Sequence, residues 1–143
     1  MLPKSARDLT RADRELVEAA RAAIDANTDA GSGEGGVHTV GAAVRAVDGS
    51  VHVGVNVYHF TGGPCAELVA LGAARAAGAR RLDSIVAVGH GGRGVLAPCG
   101  RDRQVLIDYH PDIRIIVPTE QGPQSVSPAD LLPFAFQWVS GTT

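Results

Sequence analysis

Two short segments of this 143-residue chain carry side chains whose types and spacing could do chemistry. Residues 64–67 read Pro-Cys-Ala-Glu, and residues 98–102 read Pro-Cys-Gly-Arg-Asp. Proline suits the first turn of a helix, so we expect Cys65 and Cys99 at helix N-termini, where the helix dipole favours the metal-binding thiolate. Asp102 follows Cys99 by three residues, which places the two side chains on the same helix face.

Cys65, Cys99 and Asp102 together predict a three-ligand zinc centre. Two thiolates and a carboxylate suit Zn²⁺, and a catalytic zinc site leaves its fourth position for water. Glu67 lies two residues after Cys65 and could take a proton from that water and pass it on. The pattern fits the zinc deaminase signature, H-x-E or C-x-E followed by P-C-x-x-C, except that Asp102 replaces the last cysteine.

Plainer explanations exist for the same residues. The two cysteines could be buried apolar side chains, and the glutamate could be a first-turn acid that the helix dipole favours in any case. Asp102 could be solvated or paired with a neighbouring arginine, Arg101 or Arg103. A third metal ligand would then be a histidine, His59 or His90, or the site would have lost its metal.

Composition and charge narrow the class of protein. With 45% hydrophobic and 20% charged residues, the chain is ordinary for a globular protein, and its length suits one domain over residues 1–143, with a catalytic core at 38–139. A net charge of −2 offers no basic track for nucleic acid. The apolar runs are too short for a membrane span and the N-terminus is unlike a secretory signal, so we expect a cytoplasmic protein with reduced cysteines.

The spacing of apolar residues predicts alternating helices and strands. Helices are expected over 8–26, 66–77 and 99–109, with a last helical turn from residue 127, and a glycine-rich loop over 27–37. Strands are expected over 38–47, 51–57, 84–89 and 113–117, with a fifth at 125–126. The order predicts an α/β/α sandwich, a mixed five-stranded sheet with helices on both faces.

Three stretches of the chain, residues 54–72, 93–111 and 131–138, resemble the blasticidin S deaminases of the cytidine deaminase superfamily. The resemblance covers roughly residues 37–139 and implies a cytidine deaminase-like fold, a homotetramer and hydrolytic deamination at Zn²⁺. Matched by position, Cys65 and Cys99 are zinc ligands and Glu67 is the proton shuttle. Asn56 and Arg93 match residues that contact the substrate.

Several positions depart from the pattern of that family. His38 stands where the blasticidin enzymes have a substrate-contacting serine, and Phe136 stands where they have a substrate-contacting tyrosine. Tyr58 occupies the position of a glutamate that binds ribose in nucleoside deaminases. The resemblance makes Trp138 a wall of the pocket. A site that loses a hydrogen bond to its substrate also loses discrimination for the group it held.

These residues predict a zinc-dependent hydrolytic deaminase of a small amino-substituted heterocycle, such as a nucleobase, a base analogue, an aminotriazine, a pyrimidine or a related nucleoside. Zinc-activated water would attack the amino-bearing carbon while Glu67 moves protons. One alternative is a deaminase-like ligand-binding protein whose zinc site has degenerated at Asp102. The other is a deaminase of blasticidin S or cytidine itself.

Overall fold

The computed structural model describes residues 1–31 and 35–138, so the centre of the predicted glycine-rich loop and residue 139 of the predicted core lie outside the described residues. Within these ranges, no helix combines the length and apolar character that a bilayer span requires. The helices and strands follow in the order α1 (Arg11–Asp25), β1 (Val40–Ala46), β2 (Val51–Val55), α2 (Ala66–Ala76), β3 (Leu82–Gly89), β4 (Gly94–Leu96), α3 (Gly100–Tyr109), β5 (Arg114–Val117), β6 (Gln124–Val126) and α4 (Pro128–Leu131).

The strands form one mixed sheet, as predicted. Its order is β2-β1-β3-β5-β6, with β4 paired to β3 beside this path. The β3–β5 pair is parallel, and the other pairs are antiparallel. The α/β class with a mixed sheet is therefore confirmed.

The predicted number of strands is wrong, because the described residues form six rather than five. The additional strand, β4, has three residues and forms a hairpin with β3. Such a run is too short to show the alternation of apolar and polar residues that identifies a strand. Glycines form the turn between the two strands, and φ values of 65° at Gly91 and 82° at Gly92 place both in the left-handed region.

Helices cover both faces of the sheet and form two apolar layers. Helix α1 packs on one face, where the cluster includes Leu16, Ala20, Ala43, Val86, Val88 and Ile116. Helices α2 and α3 pack on the other face, where the cluster includes Ala66, Ala70, Ala74, Ala42, Val44, Ile85 and Leu106. The alternation of side chains along β1 explains this division, since Ala42 and Val44 face α2 while Ala43 faces α1.

Helix α2 lies unusually close to the sheet, and glycine allows the approach. A Cβ atom added at Gly54 of β2 would lie 2.5 Å from the backbone nitrogen of Ala70. Any larger residue at this position would push the helix away from the strand. Small residues at the contact therefore fix where α2 begins, and with it the position of Cys65.

A buried ion-pair cluster joins α1 to the sheet. The Arg45 guanidinium on β1 lies 2.9 Å from Oδ1 of Asp13 and 3.0 Å from Oδ2 of Asp83. Thr10 is the N-cap of α1 and forms a reciprocal capping box with Asp13. Burial raises the pKa of Asp13, but hydrogen bonds from the Thr10 backbone and from Arg45 outweigh it and hold the pKa below its ordinary value.

We expect Asp13→Asn to lower the free energy of unfolding at pH 7 by about 1–3 kcal/mol, because it leaves a buried arginine with one partner fewer. A carboxylate with a lowered pKa stabilises the fold above its unfolded pKa, and that contribution is lost as the pH falls through its folded pKa. The difference between wild type and variant should therefore narrow as the pH falls below about 4.

Urea unfolding between pH 7 and pH 3 measures this difference. Glu15→Gln is the control on the same helix, since the Glu15 side chain is 68% exposed and its loss should cost less than about 0.5 kcal/mol. Two outcomes would contradict a stabilising role for the Asp13–Arg45 ion pair. One is an equal loss of unfolding free energy in both variants, and the other is a difference between wild type and Asp13→Asn that does not change with pH.

Candidate metal and catalytic site

Cys65, Cys99 and Asp102 converge at the N-termini of α2 and α3. The sulfur atoms of Cys65 and Cys99 lie 3.5 Å apart. One ligand atom from each of the three residues lies within 4.8 Å of the other two. Each cysteine is the N-cap of its helix, and Asp102 lies in the first turn of α3. The structure thus brings together the three side chains that the sequence predicts as metal ligands.

Asp102 is buried without a partner, which argues against its being a solvated or ion-paired residue. Its side chain is 1% exposed, and neither carboxylate oxygen has a hydrogen-bond partner among the described residues. Arg101 donates instead to the carbonyl oxygen of Gly63, and Arg103 donates to the carbonyl oxygens of Pro98 and Leu131. An unpaired buried carboxylate costs several kcal/mol, and a bound dication would remove that cost.

The two histidines that could replace Asp102 as a ligand are engaged elsewhere. Nδ1 of His59 lies 2.6 Å from the Thr61 hydroxyl. Nδ1 of His90 lies 3.2 Å from the carbonyl oxygen of Thr39. Among the described residues, the group of possible ligands holds the two cysteines and Asp102 but neither histidine. Two thiolates and one carboxylate are therefore the donor set that fits a metal.

Glu67 lies beside this donor set and is 6% exposed. Burial is the main reason why its pKa rises to about 8, and the negative charge of Asp102 adds to the effect. With Glu67 ionised, the two carboxylates face each other without a shared proton. With Glu67 protonated, its carboxyl can donate to Asp102. The side chain can therefore both hold and release a proton next to the metal ligands.

The Cys65 thiol departs from its predicted behaviour. We expect the helix N-terminus to lower its pKa, whereas burial raises the pKa to about 11. The hydrogen bond from Arg101 opposes this rise, and the nearby Cys99 and Asp102 add to it. The prediction is wrong for the metal-free site because it treats one thiol in isolation. Burial, with the neighbouring acidic groups, outweighs the effect of the helix N-terminus on the Cys65 thiol.

Arg101 is a site residue that sequence reasoning missed. Its Nη2 lies 2.9 Å from the carbonyl oxygen of Gly63 and 3.6 Å from the sulfur of Cys65. The guanidinium thereby links α3 to the loop that carries the first cysteine. The sequence offers Arg101 as a partner of the adjacent Asp102, and only the fold shows that it reaches across to the other segment.

A cavity of about 220 Å³ opens onto these side chains. Its walls include Asn56, Tyr58, Cys65, Glu67, Cys99 and Asp102, together with apolar groups such as Val40, Ala87 and Leu96. Oδ1 of Asn56 accepts hydrogen bonds from the backbone nitrogens of Thr39 and Val40, at 2.7 and 2.9 Å. These two bonds fix the Asn56 amide in the cavity wall, and its Nδ2 is the group with donor capacity to spare.

His38 and Arg93, two other predicted site residues, bind the backbone behind the cavity wall and do not line the cavity. Nδ1 of His38 lies 2.8 Å from the carbonyl oxygen of Asn56. The Arg93 guanidinium donates to the carbonyl oxygen of Thr39 at 2.6 Å and lies 3.1 Å from Nδ1 of His90. Both side chains hold the backbone around Asn56, so direct contact with a substrate stays a prediction for His38 and Arg93.

Phe136 and Trp138 lie away from this cavity in the single chain. Phe136 is 75% exposed and Trp138 is 51% exposed. The Trp138 ring packs against Tyr109 with 5.8 Å between centroids. It lines a separate cavity of about 730 Å³ that also touches α2 and the end of α3. Contact of Phe136 and Trp138 with a substrate stays a prediction.

Relatives of known name fit this fold and this arrangement of residues. No family model matches the chain. It is 33% identical over 119 residues to a blasticidin-S deaminase of Bacillus cereus, covering 77% of this chain and 81% of the relative. It is 40% identical over 100 residues to a cytidine deaminase of Mycobacterium tuberculosis, covering 68% of this chain and 71% of the relative.

Solved structures give the same relationship. A cytidine deaminase of Burkholderia pseudomallei superposes with a TM-score of 0.68 at 36% identity, covering 90% of this chain and 100% of the other. A cytidine deaminase of Mycobacterium leprae gives a TM-score of 0.66 at 35% identity, covering 84% of this chain and 96% of the other. The chain therefore belongs to the cytidine deaminase superfamily, close to the blasticidin-S deaminases, and is a hydrolytic deaminase. Family members are generally zinc enzymes, and Cys65, Cys99 and Asp102 could bind such a metal.

We expect Asp102→Asn to make the metal-free protein at least as stable as wild type, and by up to about 2 kcal/mol more stable. The neutral amide removes the charge that Asp102 buries and can donate a hydrogen bond to Glu67. Zinc should raise the melting temperature of wild type and have little effect on the variant, because ligand binding to the folded state stabilises it.

Thermal unfolding in chelator and in micromolar zinc measures both effects. Asp108→Asn on the same helix is the control, since Asp108 is only partly buried and its carboxylate accepts from Gln104. A metal-free Asp102→Asn protein that is several kcal/mol less stable than wild type would contradict this account of the site.

Proposed function

We propose that the protein is a zinc-dependent hydrolytic deaminase of a small, planar amino-heterocycle such as a free nucleobase, a base analogue or an aminotriazine. The observation that carries this proposal is the convergence of Cys65, Cys99 and Asp102 with the buried Glu67 on one small cavity. Cys65, Cys99 and Asp102 would hold the ion. When bound, zinc supplies the Lewis acidity that makes water a nucleophile near neutral pH.

Glu67 is the residue that moves protons in this proposal. Its carboxyl lies in the cavity wall beside the metal ligands, in reach of both a water and a ring nitrogen. It would take a proton from the attacking water and hand it to the ring nitrogen. It would then take the remaining proton of the new hydroxyl group and pass it to the leaving amine as the C–N bond breaks. Ammonia departs and a carbonyl remains on the ring carbon. Its burial keeps solvent from competing for these protons.

The cavity supports a small ring as the substrate. Its volume of about 220 Å³ is below the range of roughly 300–1,000 Å³ typical of drug-sized ligands. Asn56 would present its Nδ2 donor to a ring acceptor, between apolar walls that suit a flat ring. Apart from Glu67 and Asp102, the described residues of the wall include no carboxylate that could bind the hydroxyl groups of a ribose.

Relatives support a second candidate. Their names specify cytidine and blasticidin S, and identities of 33–40% keep these two compounds among the substrates to be tested. In this alternative Tyr58, which is 65% exposed at the rim, would have to accommodate the larger group attached to the ring. In a homotetramer, Phe136 and Trp138 would be available to complete the cavity of a neighbouring copy.

A ligand-binding protein with a degenerate metal site is a weaker candidate. Such a protein has no use for a buried glutamate next to a cluster of ligands, and burying that glutamate has a cost. The burial of Asp102 among the ligands also fits a retained metal better than a lost one.

We expect Glu67→Gln to reduce ammonia release from the best substrate by at least about 10³-fold while about one zinc per chain remains bound, because the amide cannot shuttle protons. The substrate panel would include cytosine, guanine, aminotriazines, cytidine and blasticidin S. Glu15→Gln on α1 serves as the control for the substitution. Undiminished turnover by Glu67→Gln would remove the proton shuttle from the proposal.

Substitutions at Tyr58 test whether the substrate is a free base or a nucleoside. We expect Tyr58→Glu to raise kcat/KM for cytidine relative to cytosine by about tenfold, because a carboxylate can accept hydrogen bonds from ribose hydroxyls. Tyr58→Phe is the matched control and should leave the ratio near its wild-type value. A wild-type enzyme that already prefers cytidine by orders of magnitude would favour the second candidate.

A further inference from the structure

The oxygen ligand gives this metal site a chemical character that three thiolates would not have. Both carboxylate oxygens of Asp102 are bare and buried, so the residue can bind an ion through one oxygen or two. Carboxylate is a hard donor that suits magnesium, calcium and manganese, whereas thiolate is a soft donor that suits zinc and copper(I). The donor type at position 102 therefore bears on which ion the site selects.

Glu67 adds a second carboxyl to the surroundings of the site. Its side chain and that of Asp102 line the same cavity. The sulfur atoms of Cys65 and Cys99 lie 3.5 Å apart. An ion held by this group would therefore meet both soft and hard donors.

Nothing else in the described surroundings adds a soft donor or a nitrogen. His59 and His90 have partners outside the group, and the cavity wall contains neither a methionine nor a third cysteine. The protein ligands that the described residues can offer are therefore two sulfurs and one carboxylate.

We propose that Asp102 makes this a mixed sulfur–oxygen centre whose selectivity extends from zinc to other dications of intermediate softness. The site binds ferrous iron and cobalt as well as zinc. Its affinity for cadmium relative to zinc is lower than that of a site with three thiolates. This inference rests on the proposed function only in that both place a divalent ion on Cys65, Cys99 and Asp102. Here Asp102 sets the choice of ion, which the deamination chemistry alone does not specify.

The test compares the full-length wild-type chain with Asp102→Cys, and with Asp108→Asn as the control. Each protein is stripped with a chelator without oxygen, and then titrated with Zn²⁺, Cd²⁺, Co²⁺ and Fe²⁺ in competition with a chromophoric chelator. The ratio of cadmium to zinc affinity should be at least about tenfold larger for Asp102→Cys than for wild type. The thiolate-to-cobalt charge-transfer absorption of wild type should be roughly two-thirds of that of Asp102→Cys, since it reports the number of thiolates.

Equal affinity ratios in wild type and Asp102→Cys, or cobalt spectra of equal intensity, would overturn the inference. If Asp102→Cys fails to fold, Asp102→Asn replaces it and should lose at least about tenfold in cobalt and iron affinity. Unchanged affinities in that variant would also overturn the inference. If the wild-type chain shows the expected affinity ratios but deaminates no compound, the inference is supported and the proposed function is contradicted. If the wild-type chain binds none of these ions, both the inference and the proposed function are contradicted.

Discussion

The site is built around one unfavourable arrangement, the burial of the Asp102 carboxylate. This side chain is 1% exposed and has no hydrogen-bond partner among the described residues. Asp102 lies beside the buried carboxyl of Glu67, the half-buried thiol of Cys65 and the exposed thiol of Cys99, so four acidic groups share a small volume. Burial is the main reason why the pKa values of Glu67 and Cys65 are raised, and the negative charge of Asp102 adds to both effects. A dication bound to Cys65, Cys99 and Asp102 would favour the charged forms of these side chains. The fold is arranged in a way that suits the binding of such an ion.

The rest of the chain brings two helix N-termini together around that volume. Gly54 lets α2 approach the sheet closely. The apolar layer beneath α2 and α3 fixes the positions of both helices. Arg101 of α3 binds the loop that precedes α2. The cavity wall opposite is held by Asn56, whose side chain binds the start of β1. A hydrolytic deaminase needs this rigidity, because a proton shuttle works only if it stays within hydrogen-bond reach of the reacting atoms.

Local patterns predicted much of the fold and the ligand group. Proline before each cysteine and the spacing from Cys99 to Asp102 correctly predicted that these three side chains lie at helix N-termini, because these are properties of a single helix turn. Strand β4 was missed because three residues carry no periodicity, and the role of Arg101 was missed because it acts on a segment 36 residues away. The raised pKa of Cys65 was missed for the same reason, since it arises from burial, and then from neighbouring acidic groups, in a tertiary fold that the local sequence does not reveal.

Elemental analysis of the purified chain tests the central claim most directly, because it asks whether Asp102 is a metal ligand without requiring a substrate. Wild type should contain about one equivalent of a transition-metal dication per chain, and Asp102→Ala should contain only a small fraction of that amount after the same purification. A wild-type protein that contains no metal, or an Asp102→Ala protein with full occupancy, would contradict the account.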